Sequence, residues 1–164
     1  MFEHMQKVRE ELLNTVNTVS EEKFNEKPAQ DEWSIAQVVD HLQKIENVLL
    51  ESLKKSIHQA ENKTVEEKQL EAVTDRTRKV PAPEHVSPGP VPIDRTETIT
   101  ALEEARRDLN NFTELLSKDF DLKTRSLRHP VLGEVSIKQW IEFVGYHEER
   151  HLLQIKEVKE KISA

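Results

Sequence analysis

The segment Ser136–Val158 reads SIKQWIEFVGYHEERHLLQIKEV and carries the strongest helical pattern of the chain. Ser136 and Gln139 match a capping box, in which a serine hydroxyl and a glutamine side chain reciprocally satisfy free amides at a helix N-terminus. The inward positions then recur at three- and four-residue steps, at Trp140, Val144, His147, His151, Ile155 and Val158. This spacing predicts a long amphipathic helix. The preceding HPVLGEVS, His129–Ser136, contains a proline and a glycine and is predicted to be a turn.

Two more helices are predicted near the N-terminus. Apolar residues at three- and four-residue steps predict a first helix over about Phe2–Val19. A second capping box, Ser34 with Gln37, opens the second predicted helix, which can run to about Ala60. The segment Asn25–Trp33 between them contains a proline and lacks periodicity, so it is predicted to be a loop.

A long connection separates the second helix from a third, which is predicted to begin near Glu97. The connection spans about residues 61–96. Within it, Thr64–Arg76 can form a short helix, whereas five prolines between positions 81 and 92 exclude a helix or a central strand. A connection of this length can cross a whole bundle, so the third helix can run parallel to the second. The apolar face of the third helix consists of Leu102, Ala105, Leu109, Phe112 and Leu116.

The composition favours a single all-α domain over residues 1–164. Hydrophobic residues make up 35% and charged residues 34%, a balance typical of narrow apolar stripes on solvated helices, and three glycines are few for a turn-rich β-protein. A net charge of −7 repels the phosphate backbone, so we expect no nucleic-acid partner. The chain has no cysteine, which excludes disulfides, thiolate ligands and a cysteine nucleophile. It shows neither a signal-like N-terminus nor a membrane-length apolar segment, so we expect a cytoplasmic protein.

Three of the seven histidines lie on or beside the predicted apolar faces: His41 in the second helix, and His147 and His151 in the fourth. A buried imidazole needs partners for both ring nitrogens, and three such groups in one small bundle are costly to bury separately. A shared divalent metal resolves that cost, because neutral imidazoles are common metal ligands. The alternative is three separate core histidines, each with its own partners. The other histidines are predicted to be exposed: His4, His58, His85 and His129.

The fourth helix also offers candidate catalytic residues, which are Glu148, Gln154 and Tyr146. Gln154 lies seven residues after His147 and three after His151, hence on the same face. Tyr146 could line a pocket beside the histidines. For Glu148 and Gln154 the alternative is an ordinary surface position, since glutamate is rarely buried without a partner.

The stretch His147–His151 also matches H-E-x-x-H, the pattern of zinc peptidases. A metallopeptidase needs a third ligand, and the extended form of the motif places a glycine and a further histidine downstream. The residues after His151 supply neither, and His41 is the better third ligand. A metallopeptidase is therefore a remote alternative.

Two segments resemble the signature segments of the DinB-like superfamily of metal-dependent hydrolases. They are WSIAQVVDHLQKIE, Trp33–Glu46, and HPVLGEVSIKQWIEFVGYHEERHLLQI, His129–Ile155. The resemblance covers nearly the whole chain. It implies a four-helix bundle in up-down-down-up order, with a proline-rich crossover between the second and third helices. It also implies a divalent metal held by His41, His147 and His151.

The resemblance further implies a class of reaction. Relatives with assigned activities include S-transferases that use bacillithiol or related low-molecular-weight thiols, and a mycothiol-dependent maleylpyruvate isomerase. We therefore expect a thiol S-transferase or a hydrolase that acts on a small molecule, with a thiol as cosubstrate because the chain has no cysteine. The expected metal is Zn²⁺ or Ni²⁺, then Co²⁺, Fe²⁺ or Mn²⁺, and the expected assembly is a homodimer. The alternative is a non-catalytic metal-binding protein or a dimeric interaction module.

Overall fold

The computed structural model describes residues 1–163, which contain five α-helices and one β-hairpin. The helices are α1 (Glu3–Asn17), α2 (Glu21–Asn25), α3 (Ile35–Ser56), α4 (Arg95–Asp119) and α5 (Ile137–Ser163). The hairpin strands are β1 (Ser126–His129) and β2 (Gly133–Ser136), which pair antiparallel directly before α5. Short 3₁₀ turns lie between α3 and α4, at Ile57–Gln59, Leu70–Thr74 and Glu84–Val86. Within the described range, none of the helices combines the length and apolar character that a membrane span requires.

The first and last long helices, α1 and α5, run parallel. Near the start of α1, Nε2 of His4 lies 2.9 Å from a carboxylate oxygen of Glu149 in α5. Just beyond the other end of α1, Thr18 accepts from Lys159 at 2.9 Å. Contacts that advance in the same direction along both helices define a parallel pair.

The two middle helices, α3 and α4, are parallel as well. Glu46 of α3 accepts from Nε of Arg106 in α4 at 2.6 Å. Further along both helices, the Lys54 ammonium lies 5.8 Å from the centre of the Phe112 ring. The connection between these helices, residues 57–94, therefore brings the chain back along the length of the bundle.

The two parallel pairs are antiparallel to each other. Arg9 of α1 donates to the carbonyl of Leu102 in α4, whereas Met5, earlier in α1, accepts from Arg106, later in α4. The four long helices thus follow the order up, down, down, up. The predicted four-helix bundle is confirmed, including a third long helix parallel to the second.

The two capping boxes differ in the structure. At α3 the box is complete, because Ser34 Oγ accepts from the Gln37 amide and Gln37 Oε1 accepts from the Ser34 amide, each at 3.1 Å. At α5 Ser136 Oγ accepts from the Gln139 amide, but the Gln139 side chain binds the backbone N–H and C=O of Lys68 at 2.8 and 2.9 Å. The prediction of a second reciprocal box was wrong, because Gln139 fastens the α3–α4 connection to α5.

Several local predictions were also wrong. The segment His129–Ser136 is part of a hairpin, in which Gly133 adopts the left-handed φ of 76° that suits glycine. The predicted short helix over Thr64–Arg76 is reduced to the 3₁₀ turn at Leu70–Thr74. An isolated helix of that length is marginal, and tertiary hydrogen bonds to α5 fix this backbone in another shape. Helix α2 was not predicted, although Ser20 caps it by accepting from the Lys23 amide.

Four charged side chains are buried together at the centre of the bundle, one from each long helix. Arg9 (α1) and Arg106 (α4) each bind both Glu46 (α3) and Glu148 (α5). The shortest nitrogen–oxygen distance in each of the four pairs lies between 2.5 and 2.9 Å, and all four residues are less than 10% exposed. We call this set the buried charge network. Apolar side chains of the core surround it on both sides along the bundle axis.

We expect Glu46→Ala to lower the free energy of unfolding by about 3–5 kcal/mol, because it leaves two buried guanidinium groups to share one carboxylate. Glu51→Ala is the matched control on the same helix, since Glu51 is exposed and its pairing with Lys54 contributes little. Urea unfolding of the two variants and the wild type measures the difference. Equal stability of the two variants would show that the network does not hold the helices together.

Candidate metal centre

Three histidines from α3 and α5 meet inside the bundle. One ring nitrogen each of His41, His147 and His151 lies within 4.8 Å of the other two. Nε2 of His147 and Nε2 of His151 are 3.2 Å apart, because residues four apart share one face of α5. His41 reaches them from the facing, antiparallel helix α3. The structure therefore brings together the three histidines that the sequence pattern singled out.

The outer ring nitrogens of two of these imidazoles bind carbonyl oxygens. Nδ1 of His41 lies 2.7 Å from the backbone oxygen of Val86, and Nδ1 of His151 lies 2.7 Å from Oε1 of Gln154. A carbonyl oxygen only accepts, so these partners assign the proton to Nδ1 and leave the lone pair on Nε2. Metal-binding histidines commonly have this arrangement.

The surroundings also keep the imidazoles neutral. Burial, together with the neighbouring His41 and Arg150, lowers the pKa of His147 to about 3. Burial likewise lowers the pKa of His151 well below its ordinary value, and that of His41. At neutral pH all three rings are therefore uncharged, as metal ligands must be.

The donor set fits a divalent metal ion. Two nitrogens bound to one tetrahedral Zn²⁺ at ~2.05 Å lie roughly 3.3 Å apart, close to the 3.2 Å between the Nε2 atoms of His147 and His151. Two neutral Nε2 lone pairs that face each other at this distance repel unless a proton or a cation lies between them. The geometry and protonation of the cluster therefore suit a divalent metal ion.

Aromatic rings enclose the cluster. The centre of the Trp33 ring lies 5.2 Å from that of His41 and 6.5 Å from that of His151. Phe143 stacks on His147 at 5.8 Å. These rings reduce the access of water to the imidazoles, which strengthens electrostatic interactions at the site.

The three candidate catalytic residues lie in different surroundings. Gln154 is at the cluster, where it accepts from His151. Glu148 is 2% exposed and belongs to the buried charge network, so the alternative of a surface position was wrong for it. Tyr146 stacks on His4 with the ring centres 4.2 Å apart, and burial together with Glu71 and other nearby carboxylates raises its pKa.

The four histidines predicted to be exposed also differ. His58 and His85 are exposed as predicted. His4 is partly buried and its Nε2 lies 2.9 Å from a carboxylate oxygen of Glu149. His129 is only 1% exposed, so that prediction was wrong. It lies in a strand rather than a solvated turn, and the hairpin folds its ring inward.

His129 supports the hairpin from inside. Its Nδ1 accepts from the backbone amides of Val131 and Leu132 at 3.0 and 3.1 Å. Its ring meets those of Trp140 and Phe143 edge-on, at centre distances of 4.5 and 4.4 Å. Burial lowers the pKa of His129 to about 4.

Sequence reasoning missed the polar residues that surround His41 on α3. Gln37 lies four residues before it, Asp40 directly before it and Lys44 three residues after it, and all three bind the backbone of the α3–α4 connection. Their spacing places them on one helical face with His41, which was the available signal. It was obscured because polar residues at such positions are usually solvated. Arg150 was missed as well, and it donates to the carbonyls of Val73, Asp75 and Arg78.

The fold and the site together define a class: an up-down-down-up helical bundle with three histidines on the inner faces of two antiparallel helices. Residues 4–155 match the family model of the DinB superfamily. The chain belongs to the DinB superfamily, as its two signature segments indicated.

Similar proteins agree with this assignment. The chain is 42% identical over 155 residues to YuaE of Bacillus subtilis strain 168, an uncharacterized protein, with 94% of each chain covered. Two proteins of solved structure share the fold. TT2238, a four-helix bundle protein, is 17% identical with a TM-score of 0.61 and 94% of each chain covered. YfiT from Bacillus subtilis, described as a probable metal-dependent hydrolase with an unusual four-helix bundle topology, is 16% identical with a TM-score of 0.60, over 99% of this chain and 85% of YfiT.

The buried His129 predicts a specific loss of stability in acid. Its pKa is about 4 in the folded protein and about 6.5 in the unfolded chain, so between these pH values the unfolded state binds more protons. The contribution of neutral His129 to the free energy of unfolding is complete above pH 6.5. It is lost at about 1.4 kcal/mol per pH unit as the pH falls towards 4. His129→Asn keeps a hydrogen-bond acceptor for the hairpin amides but cannot titrate.

We therefore expect the wild type to lose about 2 kcal/mol more than His129→Asn between pH 7 and pH 5. Urea unfolding at both pH values, with a chelator present to remove any metal effect, measures the two losses. The comparison uses the change with pH, so any lower stability of the variant at pH 7 does not affect it. Equal losses in the two proteins would contradict the prediction.

Proposed function

We propose that this protein is a divalent-metal-dependent hydrolase whose metal is held by His41, His147 and His151. The observation that carries the proposal is the convergence of three neutral imidazoles from two helices. In two of them, the outer nitrogen is held by a carbonyl oxygen while Nε2 faces the cluster. The description of YfiT, which shares the fold, as a probable metal-dependent hydrolase supports the same proposal.

The ligand set bears on the metal and on its role. Three imidazoles in a chain without cysteine suit Zn²⁺ or Ni²⁺ first, and Co²⁺, Fe²⁺ or Mn²⁺ after them. When bound, such a metal supplies Lewis acidity and lowers the pKa of nearby water. Three protein ligands leave coordination positions for other molecules, as in catalytic rather than structural sites.

The chain's own residues have defined roles in this proposal. The Val86 carbonyl and Gln154 fix the orientation of His41 and His151. Trp33 and Phe143 cover the imidazoles, restrict water and form apolar walls against which a small substrate can lie.

The metallopeptidase alternative is disfavoured by the position of Glu148. In an H-E-x-x-H peptidase the glutamate of the motif acts as the general base. Here the corresponding Glu148 binds Arg9 and Arg106 in the buried charge network. A carboxylate that pairs with two buried arginines has a structural role in the bundle and is not placed to act as a general base.

A second candidate reaction is S-transfer from a low-molecular-weight thiol, as the family resemblance implies. It uses the same three histidines and the same open positions. A metal held by these histidines would lower the pKa of a cosubstrate thiol and so favour its reaction with an electrophilic small molecule. The absence of cysteine requires that the thiol come from solution, so the two reactions differ in their need for an added thiol.

The first test of the proposed function concerns metal content. We expect roughly one divalent metal per chain in untagged protein purified without added metal, and none in His147→Ala, which lacks one of the three ligands. His58→Ala is the matched control, because His58 is exposed and outside the cluster, and it should retain the metal. Elemental analysis measures the content. Metal retained in His147→Ala, or absent from the wild type after addition of Zn²⁺ and Ni²⁺, is inconsistent with the site.

The second test of the proposed function concerns turnover. We expect hydrolysis of small activated esters or amides that stops on chelation, returns with added metal and is lost in His147→Ala. The same substrates and a set of electrophiles are tested with and without a small thiol. Turnover only with the thiol identifies the S-transferase, and turnover without it identifies the hydrolase. Stoichiometric metal without any turnover favours the non-catalytic metal-binding alternative.

A further inference from the structure

One face of α3 binds the backbone of a short stretch of the α3–α4 connection. Four side chains at positions i, i+3, i+4 and i+7 take part, and they are Gln37, Asp40, His41 and Lys44. Their partners all lie in Val86–Gly89, which we call the clasped segment. His41 is therefore one of four side chains that hold this segment, besides being a member of the histidine cluster.

The bonds at the end of the clasped segment involve Gly89. Asp40 Oδ2 accepts from the Gly89 amide at 2.8 Å, and Gln37 Nε2 donates to the Gly89 carbonyl at 3.0 Å. Lys44 pairs with the same Oδ2 of Asp40 at 2.8 Å and donates to the Ser87 carbonyl at 3.1 Å. We call the four side chains that bind the clasped segment the clasp. Asp40 binds both the clasped segment and Lys44, so it is the central residue of the clasp.

The clasped segment is stiff, which links Gly89 to Val86. Pro88 and Pro90 flank Gly89, and each proline ring fixes φ near −65°. Val86 itself is fully buried. A side chain that fixes Gly89 therefore also limits where the Val86 carbonyl can lie.

The two carbonyl-bound imidazoles depend on the fold to different extents. His151 takes its acceptor from Gln154, three residues away on the same helix, so helical geometry alone brings the two together. His41 takes its acceptor from Val86, 45 residues away on the connection. The orientation of His41 consequently depends on whatever holds the clasped segment against α3.

We propose that Asp40 is a positioning residue of the metal centre: by holding Gly89, it keeps the Val86 carbonyl on Nδ1 of His41. That bond keeps the proton on Nδ1 and directs Nε2 of His41 towards the other two imidazoles. The inference rests on the proposed metal-binding function and deepens it. It assigns a role at the site to a residue that is not itself placed as a ligand.

Asp40→Ala tests the proposal through metal affinity, measured by competition with a chromophoric chelator. We expect affinity to fall roughly 10- to 100-fold, the usual effect of losing a group that orients a ligand. Asp40→Asn should bind metal nearly as well as the wild type, because its side-chain oxygen can still accept from Gly89. Glu51→Ala, an exposed carboxylate on the same helix, is the matched control and should leave affinity unchanged.

A second measurement uses the metal-free protein. Nitrogen chemical shifts of the His41 ring report which nitrogen carries the proton, and we expect the Nδ1–H form in the wild type, Asp40→Asn and Glu51→Ala. In Asp40→Ala the ring should show a mixture of the two tautomers. A merely structural role for Asp40 would lower stability without changing the tautomer.

The outcomes separate this proposal from the proposed function. Wild-type affinity together with an unchanged tautomer in Asp40→Ala would overturn the positioning role, whatever the enzyme does. If the wild type binds no metal, the proposed function fails, and the tautomer comparison still decides the role of Asp40. If Asp40→Ala does not fold, Asp40→Ser takes its place, because its shorter side chain withdraws the acceptor from the Gly89 amide. It should shift affinity and tautomer in the same direction, and no shift in that variant would then overturn the proposal.

Discussion

The arrangement of the bundle depends on the buried charge network. Arg9, Glu46, Arg106 and Glu148 come from the four long helices, and each charge binds both partners of opposite sign. Sliding one helix by a turn would move its side chain about 5.4 Å and leave buried charges without partners, which costs several kcal/mol. Apolar side chains tolerate such shifts better, because hydrophobic contact is not directional. The network therefore fixes the register of the helices, while the apolar core supplies the driving force for folding.

The same register determines the histidine cluster. His147 and His151 face each other through helical geometry alone, but His41 meets them only if α3 and α5 are correctly aligned. Glu148 directly follows His147, and Glu46 lies five residues after His41. Each arginine of the network binds both of these glutamates, so the arginines align the two helices within two turns of the imidazoles. The buried charge network therefore aligns the two helices that carry the histidines, in addition to its effect on the stability of the bundle.

Sequence reasoning succeeded where local rules decide the structure. The periodicity of apolar residues predicted the four long helices, and the spacing of His41, His147 and His151 singled out the residues that meet. It failed where a residue's role depends on a distant partner. Gln139 has the spacing of a capping residue but binds Lys68. Glu148 has the sequence context of a surface residue, but two arginines from other helices bind it inside the bundle.

The hairpin and His129 illustrate the same limit. A proline and a glycine indicate a turn, but whether strands form beside it depends on cross-strand pairing and on the helix that the hairpin packs against. His129 is buried because its ring fills the space between Trp140 and Phe143 and its Nδ1 binds two amides of the turn. Neither contact follows from periodicity, since the two aromatic residues belong to the next helix and the amides to the turn itself.

The topology explains why the α3–α4 connection becomes part of the site. Because α3 and α4 are parallel, the chain must return along the length of α3, which is about 33 Å for 22 residues. On its way it is held by α5, through Gln139 and Arg150, and then by α3, through the clasp around Asp40. These are the two helices that supply the histidines, so the returning chain passes beside the cluster and provides the carbonyl that His41 needs. In an up-down-up-down bundle with short loops that partner would have to come from elsewhere, and the crossover is therefore a wall of the site as well as a connection.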